Sequence, residues 1–160
     1  MQTPTLSFHC PRYSELPDYG LYLDQVLGLL NSALAPISSD PITGAMVSNF
    51  IKNKNIPSPE RKKYGREHLC YLVVTAILKQ MFSLQQIAAF FEIQRQTYSL
   101  EVAYNYFCDE LENALQEAFC FTGNALPSIE TQRTEQTILI RSIVLAAANR
   151  IYVAKILEQH

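Results

Sequence analysis

Residues 42–69 read ITGAMVSNFIKNKNIPSPERKKYGREHL, and this stretch decides the fold that we predict. It begins with Thr43, whose hydroxyl can cap a helix by accepting a hydrogen bond from an orphan backbone N–H. In the helix that follows, the apolar side chains at Met46, Val47 and Phe50 share one face. The opposite face is short and polar, which suits it to approach another surface closely; it carries Ala45, Ser48, Asn49 and Lys52.

The second half of this stretch is rich in cations. Pro57 and Pro59 predict the end of the helix and then an extended loop or small hairpin at residues 57–65. Six of the chain's 13 Lys and Arg stand within fifteen residues here: Lys52, Lys54, Arg61, Lys62, Lys63 and Arg66. Residues 41–95 carry a net charge of +5 in a chain whose total is −2. This asymmetry favours a polyanionic partner for one part of the surface.

Helical patterns surround the basic stretch on both sides. Apolar spacing predicts a first helix at residues 21–34, then a loop at residues 35–42 rich in Pro and Ser. A third helix is predicted from about Arg66 to Gln80. Ser83 and Gln86 form the pattern of a capping box, which predicts that a fourth helix begins at Leu84 and runs to about residue 92.

The C-terminal part of the chain predicts two longer helices. Residues 99–121 carry a heptad seam, with Gly123 placed for a C-terminal cap; its members are Leu100, Tyr104, Phe107, Leu111, Ala114, Ala118 and Phe121. Residues 130–157 predict a last helix that is apolar nearly all round between residues 138 and 148. Such a helix needs cover on every side, which predicts pairing with a second copy of the chain.

Composition excludes several classes of protein. A chain of 160 residues with 48 % hydrophobic and 18 % charged residues is typical of a globular protein with its own core. Arg141, Asn149 and Arg150 interrupt the most apolar stretch, so no run approaches the roughly 18 residues of a membrane span. The N-terminus lacks the pattern of a secretory signal. We therefore expect a cytoplasmic protein without a membrane partner.

No pattern of residues indicates catalysis. Cys10, Cys70, Cys108 and Cys120 lack the close spacing of metal sites, which favours reduced and mostly buried thiols over a redox or metal sensor built across a dimer. His68 beside Glu67 lacks a nucleophile or a phosphate-binding loop nearby. An acidic group on the fifth helix is best explained as a solvated outer face; it comprises Asp109, Glu110, Glu112 and Glu117.

The order of these pieces resembles the N-terminal winged helix-turn-helix of MerR-type bacterial regulators. Phe50 stands at the core aromatic of the recognition helix, Tyr64 at the wing tyrosine, and FSLQQI (residues 82–87) at the entry to the fourth helix. Ser48 and Asn49 occupy positions where that family carries an Arg and a Tyr. With LPDYGLYLDQV (residues 16–26), most of residues 16–95 also resembles a bacterial domain of unknown function of MerR-like type.

The resemblance implies an all-α protein: a MerR-like winged helix-turn-helix module followed by a long two-helix region. The irregular segment 1–20 precedes a DNA-binding domain at residues 21–95, and residues 98–160 form a helical region for dimerisation and for an effector. The implied function is that of a transcriptional regulator, without catalysis or cofactor, that binds double-stranded DNA as a homodimer. Two alternatives stay open: a protein–protein interaction module without DNA binding, and a sensor of a small-molecule ligand.

The residues expected to contact DNA are Thr43, Ala45, Ser48, Asn49, Lys52, Lys54, Arg61, Lys62, Lys63, Tyr64 and Arg66. Lys and Arg would neutralise phosphates, while Asn49 and Lys52 could read base edges in the major groove. The alternatives are a solvated charged loop and an exposed polar helix face. For Tyr64, a ring that packs beneath the wing is the favoured alternative to a phosphate contact.

Overall fold

The computed structural model describes residues 5–120 and 134–159, and the regular elements in these residues are helices. A 3-10 helix, Tyr13–Glu15, precedes six α-helices: α1 Leu23–Leu34, α2 Gly44–Lys52, α3 Arg66–Leu78, α4 Leu84–Arg95, α5 Leu100–Cys120 and α6 Glu135–Leu157. Only isolated β-bridges occur beside them in the described residues. The predicted all-α class is therefore confirmed.

The two predicted helix caps are present. Thr43 Oγ1 accepts from the Met46 N–H at 3.3 Å at the start of α2. At the start of α4, Ser83 Oγ accepts from the Gln86 N–H at 3.1 Å, while Gln86 Oε1 accepts from the Ser83 N–H at 2.9 Å. This reciprocal pair is the predicted capping box. Helix α4 continues to Arg95, beyond its predicted end near residue 92.

Helix α2 ends before the prolines that were expected to stop it. Lys54 has φ 61°, and its N–H donates to the Ile51 carbonyl at 3.0 Å. The Asn55 N–H donates to the Phe50 carbonyl at 2.9 Å. These two bonds form a Schellman motif, which ends a helix through one left-handed residue. The backbone itself thus ends α2, and Pro57 lies outside the motif.

Helices α5 and α6 pack on each other and run parallel. Near their starts, Ile140 of α6 and Tyr104 of α5 line one cavity. Near their ends, the rings of Phe119 and Tyr152 meet edge to face with centroids 5.3 Å apart. The predicted seam of α5 is buried within the chain from Tyr104 to Ala114. The predicted seam member Phe121, the cap at Gly123 and the predicted helical residues 130–133 lie outside the described residues.

Helix α6 buries one face within the chain. The buried positions are Thr137, Ile140, Ile143, Val144, Ala147, Ala148 and Ile151. Ile138, Val153 and Leu157 are exposed by 42 %, 52 % and 66 %. The expectation of burial on every side is thus met on one face only. Cover of the other face by a second copy stays a prediction.

Helix α6 also differs from the expectation about membrane spans. Within the described ranges it is the one helix long and apolar enough to cross a bilayer by length and composition alone, with a mean hydropathy of 1.4. Core helices of soluble proteins meet the same two criteria. In this chain α6 packs on α5, and 33 % of its most apolar window is buried.

Residues 5–20 of the N-terminal segment are irregular apart from the 3-10 helix Tyr13–Glu15, which was not predicted, and they are firmly attached to α5. Cys10 is fully buried, and the Arg12 guanidinium lies 2.7 Å from an Asp109 oxygen and 2.8 Å from a Glu112 oxygen. Glu110 is only 2 % exposed. The expectation of a solvated acidic face on α5 was therefore wrong for Glu110 and Glu112, while the Asp109 side chain stays 46 % exposed. The N-terminal segment folds back over α5, and its Arg12 pairs with Asp109 and Glu112.

One hydrophobic core joins the two predicted regions. Its buried side chains run from Cys10 in the N-terminal segment to Ile151 in α6, and all of α3 from Leu69 to Leu78 is buried among them. The division at residues 95–98 stays a prediction. In physical terms, α5 and α6 complete the core that supports α2 and the basic stretch.

Candidate nucleic-acid interface

The basic stretch contains the predicted small hairpin. Glu60 and Lys63 exchange backbone hydrogen bonds of 3.1 and 2.9 Å. Between them, Arg61 and Lys62 have φ values of 50° and 64°. A two-residue turn with both central residues at positive φ is the type I′ hairpin turn, which normally selects Asn and Gly. Here two exposed cations occupy its tip instead.

Two contacts anchor the base of the hairpin to the core. Leu21 and Tyr64 exchange backbone hydrogen bonds of 2.9 and 2.8 Å. His68 Nδ1 accepts from the Gly65 N–H at 3.0 Å, and His68 Nε2 lies 3.1 Å from the Ser58 carbonyl oxygen. A neutral imidazole with its proton on Nε2 satisfies both. His68 therefore holds the hairpin in place.

Tyr64 packs beneath the hairpin. It is 6 % exposed, and its ring meets the His68 ring edge-on with centroids 5.7 Å apart. Burial raises the pKa of the Tyr64 phenol. This is the alternative that the sequence favoured for Tyr64, and a side chain that is 6 % exposed offers little surface to a DNA phosphate.

Helix α2 has the two faces that the sequence predicted. Val47 and Phe50 are 1 % and 3 % exposed, while the outer face is exposed at Ala45, Ser48, Asn49 and Lys52. The capping residue Thr43 is exposed as well. The amide oxygen of Asn49 accepts from Asn53 Nδ2 at 3.0 Å. This bond occupies one of the two acceptor sites of the Asn49 oxygen, so a bidentate contact with adenine would use the other acceptor site and the Asn49 Nδ2 group.

Residues 20–23 connect the hairpin to α2. Gly20 lies against the hairpin so closely that a Cβ at position 20 would be 3.0 Å from the Lys63 Cβ. Leu23 lies against the start of α2, where a Cβ at Gly44 would be 3.3 Å from Leu23 Cδ2. The hairpin and the N-terminus of α2 are thus neighbours on either side of one short segment.

The cations of this region are available to a ligand. Five of them are exposed, and none lies within 4.0 Å of a carboxylate in the part of the chain that the structure describes: Lys52, Lys54, Arg61, Lys62 and Lys63. Arg66 is used differently. Its guanidinium donates to the Leu16 carbonyl at 2.8 and 3.1 Å and lies 5.0 Å from the centre of the Tyr13 ring. This internal role leaves Arg66 out of the surface considered below.

The cysteines are thiols of the core, with one exception. Cys10 and Cys108 are fully buried with their sulfurs 3.0 Å apart, Cys70 is buried, and Cys120 is exposed. The hydrogen bond with Cys108, together with burial, raises the pKa of Cys10, and burial raises the pKa of Cys70 to about 12. Over residues 5–120 and 134–159, no group of three His, Cys, Asp or Glu could hold a metal ion.

The aromatic residues of α5 belong mainly to the core. Tyr104, Phe107 and Phe119 are at least 92 % buried. Tyr104 and Phe107 line a cavity of about 20 Å³ between α3, α4, α5 and α6. This volume is about that of one water molecule, so this cavity holds no larger effector unless the core opens. Phe119 instead lines a cavity of about 450 Å³ between α5 and the N-terminal segment.

Sequence reasoning missed two parts of this region. Arg12 was not assigned a partner, because Asp109 and Glu112 lie about a hundred residues away. Gly20 was assigned to the irregular segment and residues 21–23 to the first helix, but α1 begins only at Leu23. The alternation of buried Leu21 with exposed Tyr22 fits a half-buried extended segment, and a period of two in LYL was the available pattern.

These features define a class: an all-α protein whose core presents a polar helix beside a small cationic hairpin. The chain belongs to the family described as Domain of unknown function (DUF1836), whose model matches residues 11–107. The match includes the N-terminal segment from Pro11 and ends inside α5, so it spans both sides of residues 95–98. No curated protein and no solved structure matches the chain.

Proposed function

We propose that this protein binds duplex DNA in the manner of a MerR-like winged helix-turn-helix. The contact is made by the outer face of α2 and the hairpin, which we call the α2–hairpin surface: Thr43, Ala45, Ser48, Asn49, Lys52, Lys54, Arg61, Lys62 and Lys63. The observation that carries the proposal is the group of five exposed cations without carboxylate partners among the described residues. Phosphates of a duplex supply the missing negative charge.

The backbone of the basic stretch supports the same proposal. Lys54, Arg61 and Lys62 all have positive φ, which costs a non-glycine residue about 1 kcal/mol. Gly or Asn at these positions would avoid the cost and keep the loop soluble. A solvated loop has no need of cations there, whereas a phosphate-binding surface does. Strain of this kind concentrates at functional positions.

The two parts of the surface would have different tasks. Cations on the hairpin and at the end of α2 would contact phosphates, which fix position without reading sequence. Ser48, Asn49 and Lys52 on the outer face of α2 would reach base edges in the major groove. A second copy joined through α5 and α6 would place two α2 helices about one duplex turn apart. We propose the role of a cytoplasmic transcriptional regulator, without catalysis.

The test is the pair of substitutions Lys62→Glu plus Lys63→Glu. Affinity for random-sequence duplex DNA, measured by fluorescence anisotropy, should fall on every sequence. The fall of log affinity with log salt should become less steep, with its slope smaller in magnitude by about 1.8, because each lost phosphate contact accounts for about 0.9. Arg141→Glu plus Arg150→Glu, which makes the same charge change on α6, should have little effect. Unchanged affinity of the hairpin variant at low salt would remove the hairpin from the interface.

One observation favours a second candidate, a protein–protein interaction module. Ile138, Val153 and Leu157 are exposed apolar side chains on α6, and they could contact a partner protein. Binding to random duplex DNA separates the two functions. A steep salt dependence favours the first, and no binding at about 50 mM salt favours the second.

A further inference from the structure

Two tyrosines stand beside the α2–hairpin surface and had no role in its prediction. Tyr19 is 65 % exposed and Tyr22 is 52 % exposed, and the other Tyr and Phe side chains of residues 5–120 and 134–159 are less open to solvent. Between them, Leu21 is buried and hydrogen-bonded to Tyr64. The backbone of this segment is therefore fixed by the hairpin, and the two tyrosines flank the fixed point.

Tyr22 shares its position with the cations. Lys63 Nζ lies 5.4 Å from the centre of the Tyr22 ring, within the range of a cation–π contact. The next residue, Leu23, packs against Gly44 at the start of α2. Tyr22 thus lies between the hairpin, whose Lys63 its ring faces, and Leu23, which packs against the start of α2. The hairpin and α2 are the two parts that would contact one duplex.

We propose that Tyr19 and Tyr22 contact the sugar–phosphate backbone of the bound duplex and join the hairpin to α2 in one continuous interface. This inference rests on the proposed function. A phenolic hydroxyl donates a hydrogen bond to a phosphate oxygen, and tyrosines are regular members of protein–DNA interfaces. A phosphate that reaches the Lys63 ammonium comes close to the Tyr22 ring as well.

The charges of the same segment explain why tyrosine suits these positions. Asp18 and Asp24 are exposed carboxylates on either side of Tyr19 and Tyr22. These carboxylates repel phosphate, so the segment itself can hold a phosphate only through neutral donors such as the two phenols. A contact from a neutral phenol releases no counterion, so the contribution of the tyrosines should not depend steeply on salt.

The experiment is the double substitution Tyr19→Phe plus Tyr22→Phe, which removes two hydroxyl groups and leaves both rings. Affinity for random-sequence duplex DNA should fall about 5-fold, as expected for two modest hydrogen bonds. The salt slope should stay at the wild-type value. Tyr98→Phe, at a half-buried tyrosine between α4 and α5, is the matched control and should leave affinity unchanged.

The outcomes separate this inference from the proposed function. If Lys62→Glu plus Lys63→Glu weakens binding while the phenylalanine variant binds like wild type, the tyrosines lie outside the interface and this inference is overturned alone. If the wild-type protein binds no duplex DNA even at low salt, both fail. A phenylalanine variant that lowers the salt slope as a lysine variant does would also contradict a neutral contact. Circular dichroism of each variant confirms that it is folded.

Discussion

Arg61 and Lys62 hold backbone conformations that their side chains disfavour, at φ 50° and 64°. We predict that Arg61→Asn plus Lys62→Gly, the pair that type I′ turns prefer, raises the free energy of unfolding by about 1 kcal/mol. The same variant should bind duplex DNA more weakly, because two cations are lost. Denaturant unfolding followed by circular dichroism measures the first effect and anisotropy the second. A less stable variant would refute the argument from strain.

The Glu112 carboxylate makes stability depend on pH. Burial raises its pKa, but hydrogen bonds from Arg12 and the Cys10 N–H, with the nearby charges, outweigh burial and bring the pKa below the ordinary 4.5. Above that value the carboxylate is charged in both states and stabilises the fold fully. As the pH falls through 4.5 towards the lower folded-state pKa, the unfolded chain takes up the proton first and stability is lost.

We therefore predict that the free energy of unfolding, measured with urea, falls less between about pH 5 and pH 3 in Glu112→Gln than in the wild type. At pH 7 the variant should be less stable, because the bidentate contact with Arg12 is weakened. Glu117→Gln on the same helix is the control. A wild-type profile as flat as that of Glu112→Gln would rule out this role for the carboxylate.

The limits of prediction for single residues are clear from Arg66. In the sequence it follows the basic run and looks like its neighbours Lys62 and Lys63. What distinguishes it is the Leu16 carbonyl, fifty residues earlier, which its guanidinium reaches in the folded chain. Exposure of Lys62 follows from a local turn, so it could be foreseen, whereas the internal role of Arg66 depends on tertiary structure.

At the scale of the elements, capping residues predicted the starts of α2 and α4. The start of α4 was predictable because Ser83 and Gln86 carry all its information within four residues. The end of α2 was not, because its left-handed position holds Lys54, a residue type that does not mark such a site. The prolines that were expected to end the helix lie beyond its observed end at Lys52.

Two serine substitutions measure how much the N-terminal cap of α4 contributes to stability. Ser83→Ala should lower the free energy of unfolding by about 1 kcal/mol, because the N–H of Gln86 loses its acceptor. Ser48→Ala, on the exposed face of α2, should leave stability unchanged or slightly higher, since alanine favours helix. Thermal and denaturant unfolding measure both variants. Equal effects of the two substitutions would contradict the assigned roles.

For the whole molecule, the sequence predicts which face of a helix is apolar, but it does not predict which surface packs against that face. The seam of α5 was correctly located, and its cover comes from the same chain. The exposed end of α6 at Val153 and Leu157 leaves room for the predicted second copy. Periodicity alone cannot distinguish these two kinds of cover, because both bury the same side chains.

We predict that Val153→Asp plus Leu157→Asp converts a dimer to a monomer, because two unpaired carboxylates would be buried at the interface. Light scattering coupled to size-exclusion chromatography measures the molar mass. Gln96→Glu, at an exposed position outside the two helices predicted to pair, is the control for added charge. A wild-type protein that is monomeric at micromolar concentration would show that the predicted dimer is wrong.

The attachment of the N-terminal segment to α5 has a consequence for biosynthesis. Cys10 meets a cysteine 98 positions later, and Arg12 meets a glutamate 100 positions later. Residues 10–12 leave the ribosome well before α5 does, so they must wait for α5 to emerge before they can make these contacts. Until then the nascent chain offers the apolar side chains of α3 to chaperones, so translation that pauses before residue 112 should prolong chaperone binding.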